Sequence, residues 1–160
     1  MKLVFGALFV LLASSALAAR VEMTPDEVVS KGRALSATEV EALVRGAAVT
    51  RYVHNGSTQN WTNALSGNMD GLRTDAKGQG GAARGGSGTG NWTIEEARFC
   101  ISPSWRAGNR FSAPLTECLT LYDVKGKYIG IEKSGNLEGF EFTTTGVGKT
   151  NTAPIEKTMP

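Results

Sequence analysis

The sequence predicts a mainly β fold: a small antiparallel, partly closed barrel or curved sheet carrying one or two short N-terminal helices. Three observations predict it. After residue 47 apolar and polar side chains alternate in short runs, tight-turn dipeptides separate those runs, and two helix-start signatures stand ahead of them. Short antiparallel strands must close on themselves or be covered to bury one face and protect their edges, which favours a barrel, with a two-sheet sandwich second.

Residues 1–18 read as an export signal. Lys2 is the early cation, Leu3 to Leu12 the apolar run, and Ala16-Leu17-Ala18 presents small side chains for cleavage after Ala18. The apolar run is too short to cross a bilayer, for which about 20 residues are needed, and Arg20 and Glu22 follow at once. The expected location is therefore the periplasm or the extracellular space, with no stable membrane insertion after cleavage.

Residues 19–46 form the expected helical segment. In Thr24-Pro25-Asp26-Glu27 the threonine caps, the proline takes the first helical position and Glu27 reaches back, with Gly32 as a stop. Ser36-Ala37-Thr38-Glu39 repeats the capping box, and Val40, Leu43 and Val44 share one face. Helices this short are marginal alone, so they must dock on a larger body.

Residues 47–146 form the expected β domain. Val49, Arg51 and Val53 alternate with Thr50, Tyr52 and His54, Asn55-Gly56 signals a hairpin, and Thr58 to Leu65 is the return strand. Residues 67–90 hold nine glycines and little apolar content, which predicts a flexible loop or an irregular hairpin with its tip at Gly78 to Gly88. Strands follow at Trp92 to Ile94 and at Arg98 to Ile101, where Phe99 and Ile101 share one face and Cys100 the other. A polar connection is expected from Pro103 to Pro114. A meander then runs through Cys118 to Val124, Tyr128 to Glu132 and Leu137 to Thr143, turning at Lys125-Gly126 and Ser134-Gly135-Asn136. Residues 147–160 lack apolar periodicity and read as a disordered tail.

Composition excludes several functions. The 17 Lys and Arg against 15 Asp and Glu give a net charge of +2. Without Lys2 it is +1, which offers no case for nucleic acid or an anionic membrane. Cys100 and Cys118 are the two cysteines, and an oxidising compartment favours joining them. With His54 the single histidine, a four-ligand zinc site would need a carboxylate as well, and no cofactor or metal is expected.

Motifs with catalytic associations lack their context. Gly148-Lys149-Thr150 has Thr143 where a P-loop needs glycine, and Gly78 to Ala83 has no strand pattern expected before it and no helix pattern after it. No Gly-x-Ser-x-Gly elbow accompanies His54. Glu95, Glu96, Glu132, Glu138 and Glu141 could supply a hydrolytic carboxylate pair, but no spacing selects two of them. Asn55, Asn60 and Asn91 fit the short glycosylation acceptor, which carries weight only in a host with the transferase.

The aromatic residues are the remaining lead. Trp105 and Tyr128, with Trp92, Arg98 and Arg106, are the candidate ligand-binding residues: an aromatic mouth with cations nearby in sequence. Trp92 alternates with core residues and also reads as plain core, whereas Trp105 lies in the expected connection, where packing explains it less readily.

Taken in order, the export signal, the capped helix, Gly90-Asn91-Trp92-Thr93-Ile94, Arg98-Phe99-Cys100, Glu117-Cys118-Leu119 and Tyr128 resemble a group of small exported bacterial proteins. That group shares a Gly-x-Trp-x-Ile strand followed by two cysteines. The chain is also similar, loosely, to bacterial lysozyme-inhibitor barrels, which are periplasmic, antiparallel and stapled by cystines. It departs from them where their Ser- and Lys-bearing inhibitory segment is expected. The function expected is non-enzymatic binding of a small molecule or protein partner. An inhibitor or accessory protein docking on a hydrolase is the alternative, and a carboxylate-pair enzyme comes third.

Overall fold

Helix α1 (Pro25–Lys31) and helix α2 (Ala37–Val44) start where the capping boxes place them: Thr24 and Ser36 each accept from the N3 amide, and Glu27 and Glu39 reach back to the cap amides. The computed structural model describes residues 23–53, 57–77, 83–107 and 109–144. The expected leader, His54 with its Asn55-Gly56 turn, residues 78–82 and the 147–160 tail lie outside the described residues.

Among the described residues are ten strands, the first of them between the two helices: β1 (Arg33–Ala34), β2 (Ala47–Tyr52), β3 (Thr58–Asn63), β4 (Met69–Lys77), β5 (Ala83–Glu95), β6 (Arg98–Ala107), β7 (Arg110–Phe111), β8 (Glu117–Val124), β9 (Lys127–Glu132) and β10 (Leu137–Thr144). All pairings are antiparallel. Around the ring β8 pairs with β9, β9 with β10 and β10 with β2, then β3, β4, β5 and β6 follow, and β6 meets β8 again.

That last seam is short. Arg98 to Ile101 pair with Glu117 to Thr120, and beyond Ile101 the two strands part. Pro103 explains why. Trp105 exchanges hydrogen bonds with Ser112 on the seam side of β6, and Pro103, two residues back, faces the same way without an N–H to donate. The other half of the β8 edge is taken by β1, whose Arg33 and Ala34 lie opposite Asp123 and Tyr122. The barrel is therefore partly closed, with one stretch of seam unsealed.

Cys100 and Cys118 stand opposite each other across the paired stretch and form a disulfide, with Cα atoms 4.0 Å apart. The bond staples the short seam at which the ring closes. It accords with a non-reducing compartment. No helix among the described residues is long and apolar enough to cross a membrane.

Alternation sets the interior. Val49, Trp61, Phe99, Leu119, Leu121, Phe140 and Phe142 are buried on the inward faces, where Phe140 and Phe142 stack at 5.7 Å and Phe99 meets both edge-on. Val40 and Val44 of α2 join this core, so α2 plugs one end. Asn63, fully buried, anchors the plug: its amide donates to the Val44 carbonyl at 2.8 Å and accepts from the Trp61 indole at 2.7 Å. Helix α1 lies against the outer face instead, with Val28 against Val124 and Ile129.

Of the two alternatives for residues 67–90 the hairpin holds and the flexible loop does not: β4 and β5 pair from Arg73–Ser87 to Lys77–Ala83, so residues 83–88, expected in the tip, belong to β5. The glycines hid the alternation by carrying no side chains, and they are needed for close approach. A Cβ at Gly88 would lie 2.5 Å from the Ser104 carbonyl, and one at Gly90 2.9 Å from the Met69 sulfur. The expected connection from Pro103 is likewise strand as far as Ala107, and it turns Pro103 and Trp105 toward the barrel mouth.

Gly130 makes the interior rule testable. A side chain there would sit 2.7 Å from Phe140 Cε2 and 2.8 Å from Leu119 Cδ2. Gly130→Val is expected to cost about 1–3 kcal/mol through overpacking, read as a lower urea midpoint at unchanged slope.

Candidate functional site

Strand β2 starts at Ala47, beyond α2, and carries Arg51, with Val53 just past its end, to the opposite end of the barrel, where the core is no longer apolar. Gln59 of β3, Glu117 of β8, Glu132 of β9 and Glu138 of β10 converge on Arg51 there. Each shares its strand face with core residues: Glu117 with Leu119 and Leu121, and Glu138 with Phe140 and Phe142. Arg51 is 2% exposed and Glu138 1%.

Four of the five guanidinium N–H groups donate to the side chains around it. Nε donates to Glu138 Oε2 and Nη2 donates to Glu138 Oε1 at 2.7 Å, a bidentate fork. Nη2 also donates to Glu117 Oε2, Nη1 donates to Gln59 Oε1 at 3.1 Å, and Glu132 Oε1 lies 3.7 Å from Nη2. No buried side-chain nitrogen or oxygen among the described residues lacks a hydrogen-bond partner.

Three carboxyl groups share one guanidinium, and their surroundings shift Glu138 and Glu132 in opposite directions. Burial pushes the Glu138 carboxyl up, reinforced by its neighbours Glu132 and Glu117 and opposed by Arg51. For Glu132 burial also acts upward, but hydrogen bonds from Ser134 and Asn136 and the charge of Arg51 outweigh it and hold the group below the ordinary carboxylate range. The carboxylates raise Arg51 against the opposing effect of its burial, so it stays charged.

The two glutamates then act oppositely on stability. Glu138, raised on folding, contributes fully below the unfolded value of 4.5 and loses its contribution as pH rises through its folded value. Glu132, lowered, contributes above that value and loses its contribution as pH falls through its own folded value. Glu138→Gln keeps the neutral form at every pH, so it is expected to flatten the decline in stability above pH 4.5. Urea unfolding at a series of pH values checks this, and a steeper decline in the variant contradicts it.

Above the cluster the barrel opens into a cavity of about 280 Å³. Its apolar wall is Val53, Pro103, Trp105 and Leu115, and its base is Arg51 with Gln59 and the three glutamates. The unsealed part of the seam forms one side. Segment 112–116 crosses it, held by hydroxyl bonds: Ser102 with Thr116 at 2.7 Å, and Ser112 Oγ accepting from the Trp105 amide at 2.9 Å.

The candidate residues do not gather here as a group. Trp105 does line the cavity. Tyr128 lines a separate, shallower hollow with Leu35 and Leu43 beside α2, and it packs edge-on to Phe142 at 5.7 Å. Trp92 is core, with its indole donating to the Ala64 carbonyl at 2.9 Å. Arg98 stands opposite Thr120, 3.6 Å from Glu96, and the exposed Arg106 alternates with Trp105. Neither arginine lines the cavity. The cation that matters is Arg51, marked in the sequence by its place between Val49 and Val53.

Metal chemistry does not fit this base. Carboxylate oxygens of Glu117, Glu132 and Glu138 lie within 4.8 Å of one another, but Arg51 already bonds two of the three as their cation. A second grouping, Glu95 with Cys100 and Cys118, has both sulfurs in the disulfide. Glycoside hydrolysis fares no better, because it needs two carboxyl groups about 5–9.5 Å apart with the sugar between them. Here Glu132 and Glu138 are close neighbours around a shared guanidinium.

Compared with family models, curated proteins and solved structures, the chain finds no match.

Proposed function

We propose that this chain is an exported, non-enzymatic binding module that takes a small molecule into the cup at the open end of its barrel. The observation that carries the reading is the asymmetry of the two ends. One is plugged by α2 and filled with core, while the other ends in a cavity with an aromatic wall and a polar base. The sequence pattern of residues 1–18, together with the disulfide, supports export to the periplasm or beyond the cell.

A second reading, an inhibitor or accessory protein docking on a hydrolase, draws on one observation. Phe111 and Leu115, both more than half exposed, lie in and beside the segment that walls the cup. The loose resemblance to lysozyme-inhibitor barrels goes with this reading.

Native mass spectrometry of the protein purified from the exported fraction of its cells distinguishes the two. A retained small molecule that Trp105→Ala loses is the expected result. A retained protein favours docking, and a bare chain that takes up no small molecule from cell extract overturns the binding reading.

A further inference from the structure

The cup's walls are unbalanced in charge and mixed in polarity. Among its described lining residues Arg51 is the single cation, against Glu117, Glu132 and Glu138. The guanidinium donates from Nε, Nη1 and Nη2 inward to its own barrel, so an incoming anion finds no free fork and meets surplus carboxylate. A bare metal ion would have to displace Arg51. Glu117 and Glu132 line the cavity and retain partial exposure, unlike Glu138. The Trp105 ring and the Leu115 side chain line the same cavity.

Resting on the binding reading above, we infer that the ligand is a small organic cation. An ammonium or guanidinium head meets the Glu117 and Glu132 carboxylates, and a short apolar body lies against Trp105 and Leu115. The head gains charge-assisted hydrogen bonds, and the indole face adds cation–π attraction. The cavity of about 280 Å³ equals roughly nine waters, which limits the body to about one ring or a short chain.

Calorimetric titration of the full exported chain at fixed ionic strength tests the class with three probes: 2-phenylethylammonium, 2-phenylethanol and phenylacetate. The ammonium is expected to bind saturably below about 10 mM, the alcohol at least about tenfold more weakly, and phenylacetate not at all. Trp105→Ala is expected to weaken the ammonium about tenfold while Trp105→Phe retains most of the affinity. Glu117→Gln is expected to weaken it by a similar factor, with thermal unfolding confirming that the variant folds. Equal binding of the alcohol, or preference for phenylacetate, overturns the cation class and leaves the binding reading standing. No binding of any probe to folded protein also overturns the class, and retained small molecules in the mass spectrum then decide the binding reading separately.

Discussion

Arg51→Ala is expected to destabilise the domain by about 3–5 kcal/mol at neutral pH, a large share of the stability of a chain this size. The substitution removes the cation that bonds both Glu138 and Glu117 and leaves three carboxyl groups close together at the barrel end. The loss shrinks in acid. Without Arg51 the Glu132 and Glu138 carboxyls lose the charge that draws their proton affinity down, so their folded values rise. A group raised on folding contributes below its unfolded value and forfeits that contribution as pH climbs. Chemical unfolding at neutral and at mildly acidic pH measures both effects. A deficit that is small, or independent of pH, contradicts the account of the cluster.

Removing both sulfurs together, as Cys100→Ala with Cys118→Ala, is expected to cost about 3 kcal/mol, because the bond closes a loop of 18 residues in the unfolded chain. A second, local effect comes from where the bond sits. The seam from β6 to β8 has four residue pairs, against eight between β5 and β6. Amides of Arg98–Ile101 and Glu117–Thr120 are therefore expected to exchange with solvent about a hundredfold faster in the variant, with the β5–β6 ladder less affected. Uniform acceleration across the barrel leaves the seam no special role, and unchanged exchange removes the staple.

Most of this architecture is written in side-chain alternation. Both capping boxes, the meander from Cys118 onward and the pairing of the two cysteines stand in the structure as the residues imply. Two segments are opaque for a physical reason. Period-2 patterning needs side chains to display it, and β5 passes its tightest contacts at Gly88 and Gly90, where none is tolerated. Beyond Ile101, Pro103 and the polar serines read as a connection, although the strand continues without its β8 partner.

The site was partly legible. Trp105 stands out because a large aromatic in an apparent loop asks for an explanation. Arg51, Glu117 and Glu138 carry a subtler signal, a charge on a face otherwise occupied by Val, Leu or Phe. Alternation identifies each as inward-pointing. It does not say that strands β2, β8 and β10 bring them to one end, because that depends on register and on which strands are neighbours. Tyr128 fails as a partner to Trp105 for the same reason, since the two face different hollows.

A two-dimensional nitrogen–proton spectrum resolves the three indoles, and it tests the open end against the filled interior. Trp61 and Trp92 have their indole N–H groups bonded inside the core, whereas Trp105 lines the cup. On addition of the low-molecular-mass fraction of the producing cells, the Trp105 indole signal is expected to move while the other two stay in place. Movement of Trp61 or Trp92 with Trp105 unchanged, or no movement of any of the three, contradicts a ligand site at the barrel mouth.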